Sequence, residues 1–555
     1  MCISKAEPSV TATQKMQTYA RLWAIHRILY FNPGGWGAGS GLADNFKFME
    51  GLSLIATFLT GKFMIPSIFL HFFINFYVKL PFVWDSEWLC MLTDMAYMSF
   101  TIYHFVFTTT KDKEAYDERR WTDIKLAIKF IMPLFYFSAG FLKVNTSFMK
   151  PETSCAPIFL AQILTFYVPK EILDKFPTEF ILRTAPHVTL VVEHLIPTLW
   201  LVGINGYASA LALLFHGLIA LCPPPHNIGA FSICCAARIY VYHDEVVTKA
   251  LKTWFEKMMK PKTVIFTTIA GYVTYQAYLL GDTFPGGDKS LPSYIAIVFL
   301  FLAATSFTPS KTTKEEEGSK LSTLGTKVIH GMVMFFTIMY TFVMPTLGLM
   351  DQGTANMFAN LKVRGGTNHF VLPMGVYSPM ISGGAYVRVE DASPTFAPEL
   401  PGELTPYFTT ECVDLLQANG HTGRVFNAGV GSIVGRFVVP QGQKFTPYTI
   451  PIIELQRFYH KALEEGVDFA VTYSILDGFY GDETWRQTSS AKRIRATVEN
   501  GTDAQCMVQV APEDWEECGE EDLLDPPHPW LSKFVSHLAY PILEGEWDEL
   551  HCFGP

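Results

Sequence analysis

The sequence predicts a polytopic α-helical membrane protein of about nine spans followed by a C-terminal β-rich domain, because runs of roughly 20 mostly apolar residues recur through its first two thirds. Two further observations agree. Of 555 residues, 49% are hydrophobic and 17% charged, against about 25% charged in soluble proteins. The 45 Phe, 24 Tyr and 11 Trp suit aromatic belts at membrane interfaces. Three segments follow: a cytosolic N-terminal stretch over 1–48, a transmembrane domain over 49–349 and a β-rich lumenal domain over 350–555.

Apolar stretches able to span fall at Leu52–Phe76, Trp88–Phe107, Ile124–Val144, His187–Ile204, Tyr207–Leu221, Ile228–Val241, Val264–Leu280, Tyr294–Phe307 and Val328–Leu349. Ala156–Val168 is shorter and runs into Pro169, Lys170 and Glu171, which suggests an interfacial helix. The first forty residues hold no short apolar run before a cleavage site, so the first membrane helix is expected to act as the signal. Basic residues gather in alternate loops, around Lys111–Lys125, Lys249–Lys262 and Lys311–Lys327. The positive-inside bias makes those loops cytosolic and everything after Met350 lumenal. An endomembrane, such as the endoplasmic reticulum, is the expected location, with membrane lipids as neighbours. The net charge of −10 and the lack of a basic stripe exclude nucleic acid as a partner.

After Met350 the pattern changes. Short β-prone runs at His369–Pro373, Ala385–Val389, Val425–Val439, Phe469–Leu476 and Lys492–Val498 are separated by Gly, Pro and Asn clusters that read as turns. One helix is expected over Ile452–Glu465. The acidic run Glu513–Asp525 reads as solvated surface. Cys90, Cys155, Cys412, Cys506, Cys518 and Cys552 would face an oxidising lumen that permits pairing. Cys222, Cys234 and Cys235 read as small core residues. No pair has zinc-finger spacing, and no metal is expected. Sequons at Asn145 and Asn500 fall on the lumenal side, and Asn500 is the better glycosylation candidate.

The chemistry-bearing residues lie inside the spans. Lys143 ends the third apolar run. An ammonium at the centre of a membrane helix costs roughly 2.5–3.5 kcal/mol on insertion scales. That cost is met by a snorkelling side chain, a paired charge, a watery cavity or a neutral amine, and the last would be a strong base. The fourth span carries His187, Glu193, His194 and Pro197. His187 and His194 are seven residues apart and share a helix face, and Pro197 leaves the Glu193 carbonyl without its helical donor. His216 lies in the fifth span. Ionisable groups in membrane helices are functional candidates by default.

The stretch Tyr136-Phe137-Ser138-Ala139-Gly140-Phe141-Leu142-Lys143-Val144-Asn145 resembles the segment of vitamin K-dependent γ-glutamyl carboxylases that carries their active-site base. It also resembles their wider relatives, the horizontally transferred transmembrane (HTTM) domain proteins. The likeness continues through Ala185-Pro186-His187 to Glu193, Leu214-Phe215-His216 and Asn227–Ser232, and returns after the last span in Asn356–Leu361 and Gly365–His369. The resemblance implies an enzyme that couples oxidation of a lipid quinol, such as reduced vitamin K, to proton abstraction and carboxylation of glutamate, with O₂ and CO₂ as co-substrates. It makes Lys143 the base, with His187, Glu193 and His216 positioning or polarising it. Asn145, His194, Lys362 and Arg364 are the substrate-binding candidates, toward a protein, peptide or small-molecule substrate. It implies a disulfide between Cys90 and Cys412. Where the carboxylases carry two adjacent lysines, this chain has Leu142 then Lys143. That departure keeps two alternatives in view: an HTTM-type enzyme using the same base on a lipid, terpenoid or amino-acid derivative, and a non-catalytic quinone- or lipid-binding subunit.

Overall fold

A computed structural model describes residues 10–29, 41–74, 83, 85–108, 111–222, 228–258, 323–347, 355, 359, 369–372, 386–392, 410–420, 430–431, 448–476, 491–499, 503–511, 513–519, 524 and 540–541. The N-terminal region is mostly helical and the C-terminal region is built on an antiparallel sheet. The chain divides into two compact units. One comprises Met1–Lys79, Ser86–Tyr136 and His194–Thr337; the other comprises Leu80–Asp85, Phe137–Glu193 and Ile338–Pro555. The division therefore does not fall at residue 350. The end of the Lys143 helix and most of the helix carrying Glu193 belong with the C-terminal residues.

In the first unit, α1 (Ala12–Leu29) is the main surprise. Its stretch reads as polar to mixed, yet Tyr19, Ala20, Trp23 and Ala24 are fully buried. Their spacing is that of one helix face. The expected first span is instead two helices, α2 (Gly41–Thr60) and α3 (Met64–Phe73). Gly61 between them has φ +69°, and a Cβ there would lie 2.8 Å from the Gln17 Cβ. Only glycine adopts that conformation without strain. The Thr57 and Ser67 hydroxyls meet at 2.8 Å across the pair, so α3 folds back along α2.

The next two apolar runs form helices close to the expected bounds: α4 (Asp85–Phe107) and α5 (Lys113–Leu142). Along α5, Trp121, Ile124, Ile128, Ile131, Phe135, Ala139 and Leu142 are buried, while Leu126, Phe130 and Phe137 are exposed. A helix apolar on its outer face as well as its inner one suits a lipid surround. Short α6 (Thr146–Met149), α7 (Cys155–Tyr167) and α8 (Lys170–Leu173) lead into α9 (Thr178–Leu201), which runs through Pro186 and Pro197. Then come α10 (Asn205–Ala220), α11 (Ile228–Ile239) with a 3₁₀ turn at Tyr240–Tyr242, and α12 (Asp244–Met258). The last apolar run forms α13 (Leu324–Ile338), a π turn (Met339–Val343) and a final turn (Met344–Thr346). Among the described residues, Lys113–Leu142 and Leu324–Thr346 are the helices long and apolar enough to cross a membrane. The stretches Val264–Leu280 and Tyr294–Phe307 lie outside the described residues.

In the second unit, Ser154 caps α7. This helix buries Cys155, Ile158 and Ala161 against Cys412 and Leu416 of α14 (Thr410–Ala418). The sheet has strand order β3-β1-β4-β5-β6-β7, all antiparallel, from β1 (Tyr386–Ala392), β3 (Tyr448–Pro451), β4 (Phe469–Leu476), β5 (Ala491–Glu499), β6 (Asp503–Ala511) and β7 (Asp514–Glu517). A separate two-stranded ladder joins β2 (Val430–Gly431) to β8 (Tyr540–Pro541). Helix α15 (Ile452–Glu465) lays Leu455, Tyr459 and Ala462 on Val389, Val471, Tyr473, Ile494 and Val498. Part of the acidic run forms β7, turned by Glu513 at φ 71°, and its side chains stay mostly exposed as expected.

The cysteines are partly as anticipated. Cys506 and Cys518 form a disulfide across the β6–β7 pair, and Cys155 is disulfide-bonded. The disulfide expected between Cys90 and Cys412 is not formed: both are buried thiols. The Cys90 thiol is used within the first unit, donating to Asp94 Oδ2 at 3.4 Å. Cys412 packs among apolar side chains of the second, where burial pushes its thiol up to about 12.

Candidate functional site

Lys143 is buried at the C-terminal end of α5, just past Leu142. Its Nζ donates to Glu193 Oε1 at 3.0 Å and to the Ala139 carbonyl at 3.3 Å. The Phe148 ring centroid lies 5.9 Å away, within cation–π range. All three donor directions of the amine thus meet electron-rich partners. Snorkelling is excluded as the main account, since only 6% of the Lys143 side chain and 8% of that of Glu193 are exposed. Of the ways to meet the cost of the charge, the structure shows a paired one.

Glu193 is held by the packing of α9. Leu182, Pro186, Glu193, Ile196 and Trp200 lie on its buried stripe. Glu193 Oε2 is buried and makes no hydrogen bond among the described residues. Leaving a buried acceptor unsatisfied costs about 1–3 kcal/mol, more when it is charged, so a hydroxyl or a water would gain by bonding to this oxygen. His187 sits elsewhere: it is exposed, on the same side as Val188 and Val191. The seven-residue spacing that groups His187 with His194 runs along a neighbouring face, and the structure does not bring His187 to Lys143. His194 is half-buried.

Asn145 closes the turn after Lys143 and supports the backbone. Its Nδ2 donates to the Leu142 and Ala359 carbonyls at 3.0 and 2.7 Å, and its Oδ1 accepts from the Phe148 amide at 2.8 Å, capping α6. Both amide protons are spent and the residue is fully buried. Asn145 therefore holds the lysine turn, and neither a substrate contact nor a glycan fits there. Lys362, Arg364 and Asn500 lie outside the described residues.

A residue not chosen from the sequence completes this turn. His369 forms an antiparallel bridge with Asn145, and the Phe370 amide donates to the Val144 carbonyl at 3.2 Å. His369 Nδ1 accepts from the amides of Val371 and Leu372 at 3.1 and 3.0 Å. Nε2 therefore carries the proton and donates to the Phe141 carbonyl at 2.9 Å. Burial holds this imidazole below its ordinary value, against the opposing effect of the Phe141 carbonyl. The signal in the sequence was the Gly365–His369 tract, which marked the segment without giving the histidine a role. The π turn adds Phe342, 6.1 and 5.9 Å from Phe137 and Phe141, giving this end of α5 an aromatic wall.

His216 forms a separate arrangement in the first unit. It is fully buried; Nε2 bonds to the Tyr136 hydroxyl and Nδ1 to Ser232 Oγ at 3.3 Å. Tyr136 also meets Trp200 edge-on at 5.3 Å. Both ring nitrogens are engaged, so the described geometry makes His216 a satisfied core histidine linking α5, α10 and α11.

Residues 367–533 match a family described as a domain of unknown function (DUF8388). The match begins two residues before His369 and takes in the six-stranded sheet and α15. No curated protein matches the chain. No solved structure matches it.

Proposed function

We propose that this chain is an integral membrane enzyme of the γ-carboxylase/HTTM kind, in which Lys143 and Glu193 act together as a buried base toward a lipid-soluble hydroxyl compound such as a quinol. The observation that carries the proposal is the buried pair with one carboxylate oxygen unpartnered. The amine and the carboxylate share a hydrogen bond at 3.0 Å. A hydroxyl placed on Glu193 Oε2 would pass its proton into the pair. The charge left on the substrate oxygen would be balanced by the Lys143 ammonium in apolar surroundings, where such an attraction is strong. Asn145 and His369 would fix the lysine turn, and Phe137, Phe141, Phe148 and Phe342 would supply apolar contact. A vitamin K-type quinol fits the donor set, because it brings a weakly acidic hydroxyl on an apolar ring. In the resembling carboxylases its reaction with O₂ yields an epoxide and the strong base that removes the glutamate γ-proton before CO₂ adds.

The narrower reading, glutamate carboxylation, rests on the resemblance alone. Leu142, fully buried where the carboxylases have a second lysine, favours a second reading: the same pair acting on another lipid, terpenoid or amino-acid derivative. We place the protein across about nine spans with the β-rich domain on the lumenal side; the disulfide Cys506–Cys518 supports an oxidising compartment for that domain.

The test uses the full chain in lipid nanodiscs, with reduced vitamin K, O₂, labelled bicarbonate and a glutamate peptide. Label entering the peptide in the native protein but not in Lys143→Ala or Glu193→Gln supports carboxylation. Lys143-dependent quinol consumption without label supports the second reading. Bound quinol with no turnover of any kind contradicts both and leaves a binding subunit.

A further inference from the structure

A second set of buried polar groups lies in the first unit, in residues that the proposed chemistry does not use. His71 on α3 and Cys90 and Asp94 on α4 are all fully buried, and their nitrogen, sulfur and oxygen donor atoms lie within 4.8 Å of one another. Cys234 on α11, also fully buried, comes within hydrogen-bonding reach of the Cys90 sulfur. The surroundings orient these donors. Trp23 Nε1 donates to Asp94 Oδ1 at 2.9 Å. Arg238 Nη2 donates to Cys90 Sγ at 2.8 Å and its Nε to Thr93 Oγ1 at 3.2 Å. Cys90 Sγ thus accepts from Arg238 while its S–H donates to Asp94 Oδ2 at 3.4 Å, and a bound metal would replace that proton.

The charges around the cluster are uneven. Arg27 lies 3.3 Å from Glu50 and 3.7 Å from Glu87, and Arg238 lies 3.8 Å from Asp94. Among the described residues of this network, two guanidinium groups face three carboxylates. A buried uncompensated charge is strongly destabilising. His71 Nδ1 also lies 3.7 Å from Glu50 Oε1, and a divalent cation would offset the excess negative charge of Asp94 and of the thiolates that bind it.

We propose that His71, Cys90 and Asp94, with Cys234 as the fourth donor, form a buried site for a zinc-class divalent cation that ties α3, α4 and α11 together. The donor set of imidazole, thiolate and carboxylate is the one zinc takes. Tetrahedral zinc places its ligands roughly 3.3–3.8 Å apart, given bond lengths of about 2.0–2.3 Å. The donor atoms lie within 4.8 Å of one another, and Cys90 Sγ and Asp94 Oδ2 are already 3.4 Å apart, so binding needs at most a small inward shift. Arg238, Trp23 and Thr93 then serve as the outer groups that orient the ligands. Linear spacing hides this site: His71 is nineteen residues from Cys90, and Cys234 lies on a distant helix.

The full chain, purified without chelator under reducing conditions, is assayed for metal content and then loaded with zinc for X-ray absorption. The site predicts about one metal per chain, with sulfur in the coordination shell at about 2.3 Å beside nitrogen or oxygen. Cys90→Ser and Asp94→Asn each lower the bound metal at least tenfold. A protein that takes up no zinc overturns the proposal. So does zinc bound in a shell without sulfur, and so does metal retained in full by Cys90→Ser. Should one variant not fold, the native shell and the other variant still decide.

Discussion

Replacing Lys143 by Met would strand the Glu193 carboxylate, and the structure sets the size of the effect. Among the described residues Oε2 has no hydrogen-bond partner and Oε1 bonds to Lys143, so the truncation removes the carboxylate's cation in a site where 8% of the glutamate side chain is exposed. Breaking one half of a buried pair costs about 3–5 kcal/mol, whereas replacing both halves with apolar side chains is neutral or stabilising by about 1–4 kcal/mol. Lys143→Met and Glu193→Leu should therefore each destabilise by about 3 kcal/mol or more, and the double variant should recover most of the loss. The assay is equilibrium unfolding in mixed micelles for all four members of the cycle. Single variants within about 0.5 kcal/mol of the native protein, or losses that simply add, would refute the pairing and return Lys143 to the interface.

Other expectations follow from the same geometry. His369 is held neutral, below its ordinary value of 6.5, so the unfolded chain takes up the proton first as pH falls. Its contribution is complete above about pH 6.5 and is lost on acidification; the unfolding midpoint should drop between about pH 7 and 5, and less steeply in His369→Phe. Reducing Cys506–Cys518, which closes a short loop of sequence separation 12, should cost about 2–3 kcal/mol and expose the β6–β7 edge to limited proteolysis. Gly61→Ala should destabilise by about 1–3 kcal/mol, because it combines positive φ with a clash on Gln17; thermal unfolding checks it. His216→Leu should cost about 1–3 kcal/mol by removing the ring nitrogen that bonds to the buried Tyr136 hydroxyl, and Tyr136→Phe in the same background should restore part of it.

Where a segment carries one strong period, the structure and the sequence agree. The pattern of Leu455, Tyr459 and Ala462 marks α15, and the β-branched and aromatic run marks β4, both with the boundaries expected from the sequence. Lys143 and Glu193 were legible because charge is conspicuous in an apolar helix. Their pairing was one option among several, since contact between α5 and α9 depends on packing. His187 misled because a histidine pair seven residues apart suggests a shared face without saying which face is buried; the buried stripe runs through Leu182, Glu193, Ile196 and Trp200. The break at Gly61 was hidden inside a continuous apolar run. The burial of α1 was hidden by its lysine, glutamines and arginines. Strand β6 was missed because Asp503–Ala511 mixes polar and apolar residues and draws much of its stability from its neighbours and the disulfide.

The central claim is that the Lys143–Glu193 pair accepts a proton from a bound hydroxyl compound. Infrared difference spectroscopy of the protein in nanodiscs, recorded on adding reduced vitamin K, reads this directly. The account predicts loss of an ionised carboxylate band and a new protonated carboxyl band that shifts in D₂O, both absent from Glu193→Gln. A spectrum unchanged at those bands, with the quinol demonstrably bound, would contradict it.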